Sequence, residues 1–391
     1  MRRLGKWLGR IILLVLVALG LFLVFGPGYV ETSRNAVAEH EPYPVSEEAA
    51  ALHGTLTIGD WHADSLLWDR DLLERGDRGH VDLPRLQEGN VAIQVFTAVT
   101  KSPAGLNYDE NEGDARDNIT LLAMGQLWPP RTWDSLLERA LYQAERLQGF
   151  EDASEGTLRL VTTRGGLDAV LEAREAGEDV TAALLGIEGS HALEGDLANL
   201  DALEDAGYRV IGLQHFFDNA AGGSLHGIGN GGLTEFGAEL VAEVAARGMV
   251  LDLAHSSTQV ARDVLEIADM PLIVSHTGIR SVCDTNRNFP DDLMREIAAT
   301  GGVIGIGYWA DVTCDDSPDG IAATIMAAIG VVGEDNVSLG SDFDGSVATA
   351  FDTSELAALT DALLRAGASE TQIRKVMGEN MVRVLRDRLP D

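Results

Sequence analysis

Four histidines, Glu188 and Asp342 recur at one kind of place in this chain: the end of an apolar, β-rich run, just before a glycine-rich or polar loop. The runs close on His62-Ala63-Asp64, Glu188, His215, His255, His276 and Asp342. A closed barrel of parallel strands presents every C-terminal strand tip on one face, where such side chains converge. Eight strand-like runs carry the pattern, at about 55–60, 91–98, 182–187, 208–214, 249–254, 271–275, 302–308 and 336–341. Helical periodicity fills most of the gaps, as in Gly237–Gly248 with its terminal glycine. Strand and helix alternating eight times predict an α/β fold, a TIM (β/α)8 barrel, and the ligand-type residues at its strand tips point to the metal-dependent hydrolase type.

The gap between the second and third runs is irregular and predicts a helical insertion around 100–180, beside or over the barrel mouth. No repeat or low-complexity tract interrupts the body.

Charge and hydropathy divide the N-terminus from the rest. Arg2, Arg3, Lys6 and Arg10 place four positive charges on the first ten residues of a chain whose net charge is −33, leaving −37 on the remainder. So acidic a body is a poor partner for nucleic acid. Ile11 to Phe25 is uninterrupted apolar sequence, and no charge follows until Glu31. About 20 such residues span a bilayer as a helix, and the basic residues before them predict a cytoplasmic N-terminus. The expected organisation is a basic segment at 1–10, a signal anchor at 11–30, a polar stalk at 31–53 and a catalytic domain at 54–391 outside the cytoplasm. Ala36-Val37-Ala38 resembles a signal-peptidase box, but it lies 13 residues beyond Phe25, farther than cleavage normally occurs. An uncleaved anchor is the expectation. The only two cysteines, Cys283 and Cys314, follow neighbouring predicted strands; a single bridge and two free thiols both fit.

His62 and Asp64, two apart at a strand end, project to the same side and can share one ion. His255 and His276 end adjacent predicted strands and form a natural pair for a second. Imidazole and carboxylate ligands at a solvent-accessible barrel mouth suit Zn2+. Two ions need a bridging anion, which in many barrel hydrolases is a carbamylated lysine. The three lysines here, Lys6, Lys101 and Lys375, all lie away from strand ends, which leaves Glu188 as the bridge.

Ordered motifs over about 55–388 resemble the membrane dipeptidases, the renal dipeptidase-like peptidases of family M19 in the amidohydrolase superfamily. They include His62-x-Asp64, Gly186-Ile187-Glu188-Gly189-Ser190-His191, Leu213-Gln214-His215, Asp252-Leu253-Ala254-His255, Ser275-His276-Thr277, Arg287-Asn288, Gly340-Ser341-Asp342-Phe343-Asp344-Gly345 and Gly378-Glu379-Asn380. The resemblance implies two zinc ions and hydrolysis of dipeptides by a metal-bridging hydroxide. It makes His215 the group that polarises the scissile carbonyl, Arg287 the clamp on the substrate carboxylate and Asp342 the carboxylate that takes and returns the proton. It also implies a small peptide substrate and a homodimer. His191 would support Glu188, Asp344 would bond loop amides, and Asp252 would be a buried structural partner. Trp61 and Ala63 replace the family's usual glycine and asparagine beside the first ligands; Trp61 is expected to point away from them. His226, in a glycine-rich loop, reads as a surface histidine. An amidohydrolase acting on N-acyl amino acids, lactams or esters is the alternative enzyme, and a metal-binding envelope protein the non-enzymatic one.

Overall fold

The computed structural model describes residues 2–391. Nine strands form: β1 (Ile58–Ala63), β2 (Val91–Val99), β3 (Leu158–Leu160), β4 (Thr181–Glu188), β5 (Tyr208–Gly212), β6 (Val250–Asp252), β7 (Leu272–Thr277), β8 (Val303–Ile306) and β9 (Val337–Leu339). All pairings are parallel. β2 pairs with β4 as well as β1, and β1 pairs with β9, so eight strands close into the expected barrel. β3 is the ninth. It lies on the start of β4, Leu158 opposite Thr181, ahead of the point where β5 takes up the same edge.

The strands are buried along almost their whole length, as parallel strands covered on both faces must be. Side chains alternate between the barrel interior and the surrounding helices. Ile93, Val95, Ala182, Leu184, Val210, Val250 and Ile273 fill the interior with Met381 and Leu385 of the C-terminal helix, and Trp61 belongs to this apolar layer. Threonine and serine side chains cap several outer helices: Thr234 accepts from Gly237 N at 3.0 Å and Ser257 from Val260 N at 3.0 Å.

The irregular segment holds helices Asn118–Gly125 and Leu136–Ala153, then β3, then helix Arg164–Glu175. The N-terminal helix runs from Arg2 to Arg34, and its apolar stretch is exposed, unlike a core helix. Residues 31–53, expected as a stalk, make polar contacts with the body. Glu31 and Asn35 are buried, Val37 bridges to Thr349, and Ser46 donates through Oγ to Asp361 at 2.7 Å ahead of helix Glu47–His53. Cys283 and Cys314 form a disulfide with Cα atoms 5.5 Å apart, joining the loops that follow β7 and β8.

Candidate active site

The barrel brings all the tip residues to one place. Glu188, the last residue of β4, stands at the centre. Its Oε1 lies 3.1 Å from His255 Nε2 and 3.5 Å from both His62 Nε2 and His276 Nε2; its Oε2 lies 3.1 Å from His215 Nε2. His62 Nε2 is 3.4 Å from Asp64 Oδ1 and 3.9 Å from Asp342 Oδ1. His255 Nε2 and His276 Nε2 are 3.0 Å apart. Among the described residues, three groups are close enough to hold an ion: His62, Asp64 and Glu188; Glu188, His215 and His255; and His62, His276 and Asp342. The first is the expected first set. The second brings His215 in beside His255, where His276 was expected, although His276 also faces Glu188 Oε1.

Local backbone serves the convergence. Gly189 turns the chain immediately after Glu188 with φ 95°. His255, Asp342 and Asp344 have φ of 64°, 61° and 63°, left-handed conformations uncommon for residues with a side chain. They aim two of the site groups inward where an extended strand would have carried them past.

Supporting bonds fix the candidate ligands. Ser275 Oγ donates to Asp252 Oδ2 at 2.5 Å and lies 2.8 Å from His276 Nδ1. With its hydrogen given to Asp252, Ser275 can only accept, so His276 carries its proton on Nδ1 and presents a bare Nε2 to the site. Asp252 is thus the far end of a relay to a candidate ligand, a role beyond that of a structural partner. Thr97 Oγ1 donates to Asp64 Oδ1, and His215 Nδ1 faces Lys101 O at 3.3 Å. Asp344 accepts from His80 N at 2.7 Å, Ser65 Oγ at 2.6 Å and Arg70 Nη2 at 2.5 Å, so it binds loop groups as expected. His191 makes no hydrogen bond to Glu188; its ring lies near Phe217 and His215.

The electrostatics fit a cation. Burial, with the Asp64 charge, pushes the Glu188 carboxyl well above its usual range. Burial also raises Asp342, against the pull of His62. Burial opposes the charge on His62, but Asp64 and Glu188 outweigh it and hold the imidazole up at about 10. Burial keeps His255 and His276 neutral, the form that binds metal. The proton on His62 serves here as the counter-charge to Asp64 and Glu188, and its Nε2 has no hydrogen-bond partner; a divalent ion at that place would take over the role.

The cavity over this cluster has a volume of about 520 Å³. Arg287 lines it, 1% exposed, with Nη2 donating to His276 O at 2.8 Å and Nε unpartnered. Asn288 holds its loop by donating to Cys283 O and Val312 O, both at 2.9 Å. Trp309 lies 5.8 Å from the Arg287 guanidinium and donates through Nε1 to Tyr108 Oη at 3.0 Å. Tyr108 lines the cavity too, and nothing in the sequence marked it, since it lies in a loop without periodicity. His226 is fully buried, a correction to the surface reading. Its ring stacks on Phe216 with centroids 4.9 Å apart, and Nδ1 bonds Tyr108 O at 2.9 Å.

The family model for membrane dipeptidase (Peptidase family M19) matches residues 46–388. Dipeptidase verJ of Clonostachys rogersoniana is 31% identical over 313 residues, covering 78% of this chain and 75% of that protein. Dipeptidase 3 of Mus musculus is 28% identical over 378 residues, covering 87% and 66%. Among solved structures, the metallopeptidase dipeptidase AC of family M19 superposes with a TM-score of 0.70 at 25% identity over 86% of this chain and 100% of that one. A metallopeptidase from Rhodobacter sphaeroides, bound to a phosphinate mimic of the dipeptide L-Ala-D-Ala, gives 0.68 at 24% identity over 85% and 99% and shares the fold. The chain belongs to the membrane dipeptidase family, peptidase family M19, and is a metallodipeptidase.

Proposed function

We propose that this enzyme hydrolyses dipeptides with two zinc ions sharing Glu188, His62 and Asp64 holding one and His255 and His276 the other. The observation that carries the reading is the position of Glu188 Oε1, within 3.1–3.5 Å of imidazole Nε2 atoms from three separate strands or strand tips. When bound, the ions supply a nucleophilic water at neutral pH and Lewis-acid polarisation of the scissile carbonyl. Arg287 receives the substrate carboxylate, for which its unpartnered buried Nε is a ready donor. The depth of that arginine restricts the site to very short peptides. His215 faces the cavity and stabilises negative charge developing on the carbonyl oxygen. Asp342 takes the proton from the attacking water and returns it to the leaving amine.

The N-terminal helix is long and apolar enough to cross a membrane, which supports an anchor at 11–30 with the catalytic domain, 54–391, outside the cytoplasm. The test is a dipeptide panel, L-Ala-D-Ala included, assayed with and without chelator for wild type and Asp342→Asn. Turnover should vanish on chelation, return with Zn2+, and fall at least about a hundredfold in the variant, as loss of a general base does. Undiminished turnover in chelator overturns the zinc reading.

A further inference from the structure

The cavity that holds the catalytic cluster has a second wall from an unexpected source, the N-terminal helix. Pro27, Val30 and Arg34, at the C-terminal end of that helix, line it together with Glu188, His215 and Asp342. This wall is fastened to the body. Glu31, 1% exposed, accepts from Arg78 Nε at 2.6 Å and pairs with Arg70, which in turn holds Asp344. Asn35 Oδ1 accepts from Ser346 N at 2.8 Å, and Ala38 N and Ala36 O bond Thr349 O and N at 2.9 and 3.0 Å. The insertion helix Asn118–Gly125 packs against the N-terminal helix, with Gly125 beside Pro27. The Ala36-Val37-Ala38 box is therefore folded against the loop after β9, and loss of everything before it would strip Arg70 and Arg78 of a buried carboxylate partner.

Arg34 and Arg287 are the two cationic side chains lining the cavity among the described residues, and neither makes an ion pair with a carboxylate. Arg287 is deep and Arg34 exposed. One guanidinium suffices for the α-carboxylate of a dipeptide; the outer one is available to a second anion. We propose that the N-terminal helix is retained as a working wall of the substrate pocket and that Arg34 selects dipeptides bearing a side-chain carboxylate. The proposal rests on the dipeptidase reading and extends it to substrate class.

The experiment uses the full chain, purified in detergent, with kcat/KM measured for Ala-Glu and its uncharged isostere Ala-Gln, for Glu-Ala and Gln-Ala, and for Ala-Ala. An exposed ion pair predicts that one acidic dipeptide is favoured over its amide by about two- to fivefold in wild type. The ratio should approach one in Arg34→Ala, fall below one in Arg34→Glu and stay above one in Arg34→Lys. Intact mass of protein extracted from membranes should include residue 34. Equal ratios across the four proteins, or a mature N-terminus beyond residue 34, overturn the proposal while Ala-Ala hydrolysis leaves the dipeptidase reading standing. A wild type that cleaves none of the five removes both.

Discussion

Replacing Cys283 and Cys314 together by serine tests how Arg287, the proposed substrate clamp, is held. The disulfide joins positions 31 residues apart. Freeing a loop of that length in the unfolded chain corresponds to about 3.7 kcal/mol of lost stability at 25 °C on the chain-entropy account. For a chain of 391 residues the unfolding entropy is about 0.8 kcal/mol per kelvin, so the melting temperature should fall by about 4–5 °C. The bridge also ties the Arg287 loop to the segment carrying Tyr308 and Trp309, with Asn288 the remaining strap through its bonds to Cys283 O and Val312 O. Loosening that loop should therefore raise KM more than it lowers kcat. Differential scanning calorimetry and steady-state kinetics on wild type, wild type with reductant, and the double-serine variant give both quantities. Reduced wild type should match the variant. If the variant melts within about 1 °C of oxidised wild type with KM unchanged, the bridge neither constrains the unfolded chain nor steadies the clamp.

Two further outcomes follow from the site and its surroundings. Glu188→Gln should lower bound zinc, counted by atomic emission, from two per chain to fewer than one, with activity reduced on the order of a thousandfold; a variant that keeps both ions refutes the shared-ligand role. Asp361 is held at about 2, below the ordinary 3.8, by Arg365 and by Ser46 ahead of helix Glu47–His53. Because the folded value is the lower one, its contribution is complete above about pH 4 and is lost as pH falls toward 2. Asp361→Asn should flatten the fall of melting temperature over that window, and parallel curves for the two proteins would discard the assignment.

The barrel was legible because its strands are long apolar runs ending in ligand-type residues, two signals that reinforce one another. β3 was not, since Leu158-Arg159-Leu160 is too short to show a period. The segment 31–53 read as a stalk because its attachments are Glu31, Asn35 and Ser46, polar side chains whose partners lie elsewhere in the sequence. His226 looked like a surface residue for the same reason: its cover comes from Tyr108, 118 positions away. The Asp252–Ser275–His276 relay crosses between β6 and β7, and only register reveals it. Individual roles at the strand tips came from resemblance; the geometry adds how each group is oriented and which neighbours shift its proton affinity.

The left-handed backbone at His255, Asp342 and Asp344 has a consequence for how this enzyme can change over evolutionary time. Each such residue holds of order 1–3 kcal/mol of conformational strain that glycine would release. At positions 255 and 342 the sequence that makes the steadier protein is therefore one that has discarded an imidazole or a carboxylate from the site. Selection for thermal endurance alone would wear away function at these two positions first, so their persistence in a lineage is a record of continued use.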